Sequence, residues 1–182
     1  SARGHHLKTV KGNSTRPTSD KVKESLFNIL AERISEAAVI DLFAGTGSLG
    51  IEALSRGAAS AVFVDSSPVC AGVIKENLDR THLADKGEVY TGHVFDAIRR
   101  FAEKKRKFDL IFLDPPYGKN FIDETLKMIE KNDIMNPHGI VAAEHDYVDW
   151  VPDTVGDIQR TSGRRYADTV LSFYEKNANG RD

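Results

Sequence analysis

Of the 182 residues only one is cysteine, Cys70, which excludes an internal disulfide and a thiolate-rich zinc site. Cys70 lies in a helical pattern and reads as a small buried apolar residue. No apolar run is long enough to span a bilayer and no signal-peptide pattern opens the chain, so the expected location is the cytoplasm. Charge of one sign is also missing: 25 basic and 27 acidic residues leave a net charge of −2, which does not advertise a nucleic-acid binder. No repeat or low-complexity segment is present. The length suits one domain, expected to be monomeric, with 40% apolar and 29% charged residues, the balance of a globular chain.

The distribution of charge says more than its sum. Before Asp20 every full charge is positive (Arg3, Lys8, Lys11, Arg16), with His5 and His6 alongside. A second basic run covers Arg99 to Lys107, and a third holds Arg160, Arg164 and Arg165. Each run alone reads equally well as a solvated face; three on a nearly neutral chain fit local phosphate contacts.

Residues 1–17 are polar and basic and read as an arm or short hairpin. Thr18 or Ser19 caps a helix whose apolar face is Val22, Leu26, Phe27, Ile29 and Leu30. Strands are expected at Ala37–Phe43, Ala61–Val64, Glu88–Thr91, Phe108–Leu113 and Gly139–Glu144, alternating with helices. Ile158–Thr161 and Thr169–Tyr174 read as an antiparallel pair around the turn Ser162-Gly163-Arg164-Arg165. This order implies an α/β, doubly wound, mainly parallel sheet with one antiparallel edge. Ligands of such sheets sit beyond the carboxyl ends of the strands, where Asp41–Gly47, Asp65, Asp96 and Asp114–Tyr117 all fall.

Asp41-Leu42-Phe43-Ala44-Gly45-Thr46-Gly47 joins a strand to a helix through glycines that let a ligand approach the backbone. With Gly50 it satisfies the dinucleotide fingerprint, and Asp65 stands where an acid grips ribose hydroxyls, so these residues do not separate NAD from S-adenosylmethionine. Asp41 does: a carboxylate at the strand end repels pyrophosphate and welcomes the ammonium and sulfonium of S-adenosylmethionine. An ordinary tight turn would need neither acid. Asp41, Phe43, Ala44, Gly45, Thr46, Gly47, Asp65 and Ser66 are therefore the expected cofactor residues. Asp96 and Ala97 join them, since an acid after the third strand often meets the adenine amine in class I methyltransferases; alone, Asp96 would read as a helix cap.

Asp114-Pro115-Pro116-Tyr117 follows the fourth strand. Two prolines stiffen the chain and remove two donors, so a carboxylate and the Pro115 carbonyl can face one object as an acceptor-only site. An exocyclic amine, with two N–H donors, matches it. The positive charge developing on the nitrogen would be stabilised by Asp114, and Tyr117 offers a face for an unstacked base. A proline-rich turn leaving a strand is the bland alternative. The motif names the acceptor type and leaves adenine N6, guanine N2, cytosine N4 and protein glutamine open.

Thr15-Arg16-Pro17-Thr18-Ser19-Asp20-Lys21-Val22-Lys23-Glu24, the Asp41–Gly47 turn, Gly50–Gly57, Phe108–Tyr117 and Tyr166-Ala167-Asp168-Thr169 together resemble the RsmD family of bacterial small-subunit rRNA guanine-N2 methyltransferases. The resemblance implies a seven-stranded, Rossmann-like class I fold over residues 18–182, S-adenosylmethionine as cofactor, no metal, and the N2 amine of one guanine in 16S rRNA as acceptor. The partner would be rRNA in an assembling small subunit. It places Arg16 and Thr18 beside the cofactor, and Arg3, Lys8, Lys11, Arg164 and Arg165 are the expected RNA contacts. Family members usually begin with a short basic strand ahead of Gly4-His5-His6-Leu7, which this sequence does not include. A DNA adenine-N6 methyltransferase and a non-catalytic RNA-binding assembly protein are the alternatives. The first lacks room for a sizeable target-recognition domain; the second has no need to keep both the cofactor set and Asp114.

Overall fold

The computed structural model describes residues 7–9, 20–116 and 120–177. Five strands run parallel: β1 (Ala38–Asp41), β2 (Ser60–Asp65), β3 (Gly87–Thr91), β4 (Phe108–Leu113) and β5 (Met135–Asp146). Helices α1 (Asp20–Ile29) and α2 (Ala31–Ile34) precede β1, and α3 (Ser48–Ser55), α4 (Pro68–Arg80), α5 (Val94–Glu103) and α6 (Phe121–Asn132) make the crossovers. The tail adds β6 (Thr154–Val155), β7 (Ile158–Tyr166) and β8 (Thr169–Lys176), all antiparallel to their neighbours. The sheet order is β3-β2-β1-β4-β5-β8-β7-β6. Seven of these strands were anticipated; the two-residue β6 is too short to leave a periodic signal.

Alternation along the strands sorts two cores. Val39, Phe63, Leu110, Phe112 and Ala142 pack with Leu26 and Phe27 of α1, Ile51 and Leu54 of α3 and Ile74 of α4. Ile40, Val64, Ile111, Leu113 and Val141 pack on the other face with Ile98 and Phe101 of α5 and Leu126 and Ile129 of α6. Gly50 permits the close approach of α3 to the sheet: a Cβ there would lie 2.3 Å from Phe63 Cε1. Among the described residues no helix is long and apolar enough to cross a membrane.

Three local expectations change. Ile29 and Leu30 were both assigned to the apolar face of α1; Leu30 is buried as expected, but Ile29, the last residue of the helix, is 44% exposed. Strand β5 begins four residues before Gly139. Pro137 and His138 hide that extension from periodicity, and a register shift on β4 between Phe108 and Leu110 accommodates it. Finally, Ser162–Arg165 is not a turn. These residues lie within β7, where a register shift between Arg160 and Ser162 absorbs the turn-forming composition. The reversal comes at Ala167, which takes a positive φ of 53°.

Candidate active site

The chain leaves β1 for β2 and β3 on one side and returns through β4 and β5 on the other. The carboxyl ends of β1 and β4, paired at Asp41 and Phe112, therefore flank the topological switch point. The glycine turn rises from β1 and the Asp114 loop from β4, so the two motifs stand at the carboxyl ends of neighbouring parallel strands.

Asp41 is 2% exposed and accepts from the Phe43 N–H at 3.4 Å. Burial is the main reason its pKa rises to about 7, with repulsion from Asp65 adding to it. Among the described residues no cation is paired with this buried carboxylate. Gly45 and Gly47 take positive φ values of 54° and 83°, and a Cβ on Gly45 would meet nothing within 4 Å, so there is open space in front of the turn. Asp65 fixes this geometry: Oδ2 accepts from the Gly45 N–H at 2.9 Å and Oδ1 from the Ser67 N–H at 2.8 Å. Each oxygen keeps a lone-pair position for a ligand hydroxyl. Ala44 is buried and donates its N–H to the Val64 carbonyl, Phe43 is half-buried 5.8 Å from the Phe121 ring, Thr46 is half-buried, and Ser66 is exposed. Asp96 opens α5 and pairs with Arg99 at 2.6 Å, whereas Ala97 sends its methyl into the core and its N–H to the His93 carbonyl. An anionic and open-fronted turn of this kind fits a cationic, hydroxyl-bearing cofactor.

At the end of β4 Asp114 is half-buried, Pro115 buried and Pro116 exposed. The two prolines line a cleft with Phe121, Glu144, His145 and Trp150. His145 is buried, donating from Nδ1 to the Asp146 carbonyl at 2.8 Å while Nε2 accepts from Ser172 Oγ at 2.9 Å. Burial lowers its pKa, which favours the neutral ring. Sequence reasoning had no reason to pick Glu144, His145 or Trp150, because they come from the far end of β5 and the loop after it. Arg3, Lys11, Arg16, Thr18 and Tyr117 lie outside the described residues.

The basic runs behave differently from one another. Lys8 pairs with Glu76 at 2.7 Å, and Arg99, Arg106 and Lys107 pair with Asp96, Glu88 and Asp133. Arg164 and Arg165 instead bond backbone carbonyls of their own hairpin, and the Arg165 guanidinium lies 4.0 Å from the centre of the Tyr147 ring. Because Asp146 pairs with Thr169, that hairpin ends beside the carboxyl end of β5, on the same rim as the Asp114 loop.

Asn77 was also missed, although a polar residue among Cys70, Val73 and Ile74 on the buried face of α4 is a signal. Its Nδ2 donates to the Thr46 carbonyl at 3.0 Å and the Lys8 carbonyl at 3.2 Å, and Oδ1 accepts from the Lys8 N–H at 2.8 Å. Asn77→Leu keeps the branched shape, with somewhat greater bulk, but strands these groups. It should cost about 1–3 kcal/mol in urea unfolding, and an unchanged midpoint would contradict this account of the clasp.

The family model described as Conserved hypothetical protein 95 matches residues 1–175. YlbH of Bacillus subtilis, provisionally named an rRNA methyltransferase, is 40% identical over 176 residues, spanning 97% of this chain and 96% of that protein. Ribosomal RNA small subunit methyltransferase D of Haemophilus influenzae is 34% identical over 143 residues, spanning 78% and 74%. The solved structure of YhhF from Escherichia coli, provisionally named a methyltransferase, is 29% identical with a TM-score of 0.85, covering 97% of this chain and 94% of that one. With the two loops at the ends of neighbouring strands, these likenesses lead to one assignment: the chain belongs to the conserved hypothetical protein 95 family, the RsmD-like methyltransferases.

Proposed function

We propose that this protein transfers a methyl group from S-adenosylmethionine to the exocyclic N2 amine of a guanine in small-subunit (16S) rRNA. The carrying observation is the placement of an anionic, glycine-lined turn and an acceptor-only Asp114-Pro115 step at the ends of the neighbouring strands β1 and β4. The small-subunit rRNA relative supports the choice of substrate, and the RsmD-like resemblance the choice of base.

When bound, the cofactor supplies an electrophilic methyl group. The residues of this chain then divide the work. Asp41 faces the cofactor's cationic end, Asp65 accepts its ribose hydroxyls, and Asp96 faces its adenine. Asp114 and the Pro115 carbonyl accept from both N–H groups of the target amine. This aims its lone pair and stabilises the positive charge that develops on nitrogen. A neutral amine is far too weak an acid for a carboxylate to ionise, so the proton leaves during or after transfer. Labelled methyl transfer to 16S rRNA and to small subunits from unmodified cells, followed by nucleoside analysis, tests the whole assignment. N2-methylguanosine is expected; label in another nucleoside, or none with either substrate, refutes it. Calorimetry should show S-adenosylmethionine binding and no NAD binding.

The β7–β8 hairpin is proposed as an RNA contact. Charge reversal at Arg164 and Arg165 should lower RNA affinity and flatten its dependence on salt by about one to two counterions, leaving cofactor affinity unchanged. An unaltered salt slope would leave the two arginines as charged guards of an open sheet edge and nothing more.

A further inference from the structure

We infer that Glu144 makes the site selective for guanine, by accepting a hydrogen bond from the ring N1–H beside the target amine. The inference rests on the amine-acceptor role of Asp114 proposed above. The last registered pair of β4 and β5 is Leu113 with Ala143, so Asp114 and Glu144 are the next residues of two adjacent parallel strands. Phe112 and Ala142 face one core and Leu113 and Ala143 the other, and alternation returns Asp114 and Glu144 to the same side of the sheet. Glu144 is only 5% exposed, yet it lines the cleft together with Pro115 and Pro116. A carboxylate has about four acceptor positions, so Glu144 can keep a partner within the fold and still accept from a ligand donor.

The chemistry of the bases then decides what such a residue selects. Three nucleobases carry an exocyclic amine that Asp114 and the Pro115 carbonyl could hold. In adenine and cytosine the ring nitrogen next to that amine on the pairing edge is an acceptor. In guanine it is N1–H, a donor. A second carboxylate on the same side, this one buried, therefore completes a row of acceptors that guanine alone can satisfy. Adenine or cytosine would set a lone pair against the Glu144 carboxylate and forfeit the hydrogen bond that guanine N1–H supplies.

The test uses 16S rRNA assembled by ligation with either guanine or 2-aminopurine at the position located by nucleoside analysis and mapping. 2-Aminopurine keeps the C2 amine but has a bare N1 acceptor. Single-turnover rates on the two RNAs, for the parent and for Glu144→Gln, give a selectivity ratio in which the intrinsic reactivity of the amines cancels between variants. The parent should favour guanine strongly. Glu144→Gln should lose rate on guanine and gain relative to the parent on 2-aminopurine, because the amide N–H can donate to N1. The ratio should narrow by at least about tenfold. Equal slowing on both RNAs with an unchanged ratio would show that Glu144 only supports the fold and would overturn the inference. So would a parent enzyme that treats the two bases alike, a comparison that needs no variant. In both cases methylated guanine would still be found and the function proposed above would stand. Absence of methylated guanine would sink that function first, and this inference with it.

Discussion

Asp114→Ala should lower single-turnover methylation of rRNA by about a hundredfold or more while cofactor affinity stays near that of the parent. On the proposed role of Asp114, the alanine removes both the acceptor that would position the amine and the charge that would face the cation forming on nitrogen. Asp114→Asn keeps an oxygen acceptor and loses only the charge, so it should retain more turnover than alanine. The order of parent, Asn and Ala separates positioning from electrostatics. It also excludes a base that removes a proton before attack, for which both variants would be equally dead. Near-parent rates for Asp114→Ala would move the chemistry out of this loop altogether.

Cofactor affinity should depend on pH through Asp41. In the unliganded protein burial raises this carboxyl from 3.8 to about 7, so below pH 7 it is largely protonated. A cation brought beside it favours the ionised form, pulls the pKa down and releases the proton. Affinity should therefore rise with pH and level off above about 7, with a dissociation constant about tenfold weaker at pH 6 than at pH 8. Asp41→Asn should bind more weakly at pH 8 and show no such slope. The stability of the unliganded protein should run the opposite way. Between pH 4 and 7 the native state holds a proton that the unfolded chain has lost, so stability falls as pH rises, by up to about 1.4 kcal/mol per unit. Titration calorimetry in buffers of different ionisation heat would detect the released proton. A flat profile in the parent would mean that Asp41 does not face the cofactor's charge.

Much of this site could be read from the chain because its parts are local. The glycine turn, Asp65 and the Asp114 loop are each a few consecutive residues following a strong apolar strand, and β4 was placed residue for residue at Phe108–Leu113. What escaped was non-local. Glu144 gains its significance only when β5 is laid beside β4, and Asn77 only when α4 is packed under the glycine turn. The hairpin turn was misplaced for a related reason. Ser162 and Gly163 have turn-forming composition, but their pairing with Phe173 and Ser172 on β8 keeps them extended. Formal charge was misleading in its own way: much of the Arg99–Lys107 run is taken up by carboxylates close in space and distant in sequence, such as Glu88 and Asp133.

The position of β8 has a consequence for how the molecule is made. The last described strand is not at a margin of the sheet; it is inserted between β5 and β7, and it carries the Ser172 hydroxyl that fixes His145. During synthesis β5 emerges about thirty residues before its partner, with one side bare and its carboxyl end unsupported. A ribosome-bound chain that stops short of Thr169 therefore has the glycine turn and the Asp114 loop but presents an open strand that invites pairing with other chains. Completion of this rim thus waits on β8, and nascent chains arrested just before and just after β8 should differ sharply in protease resistance.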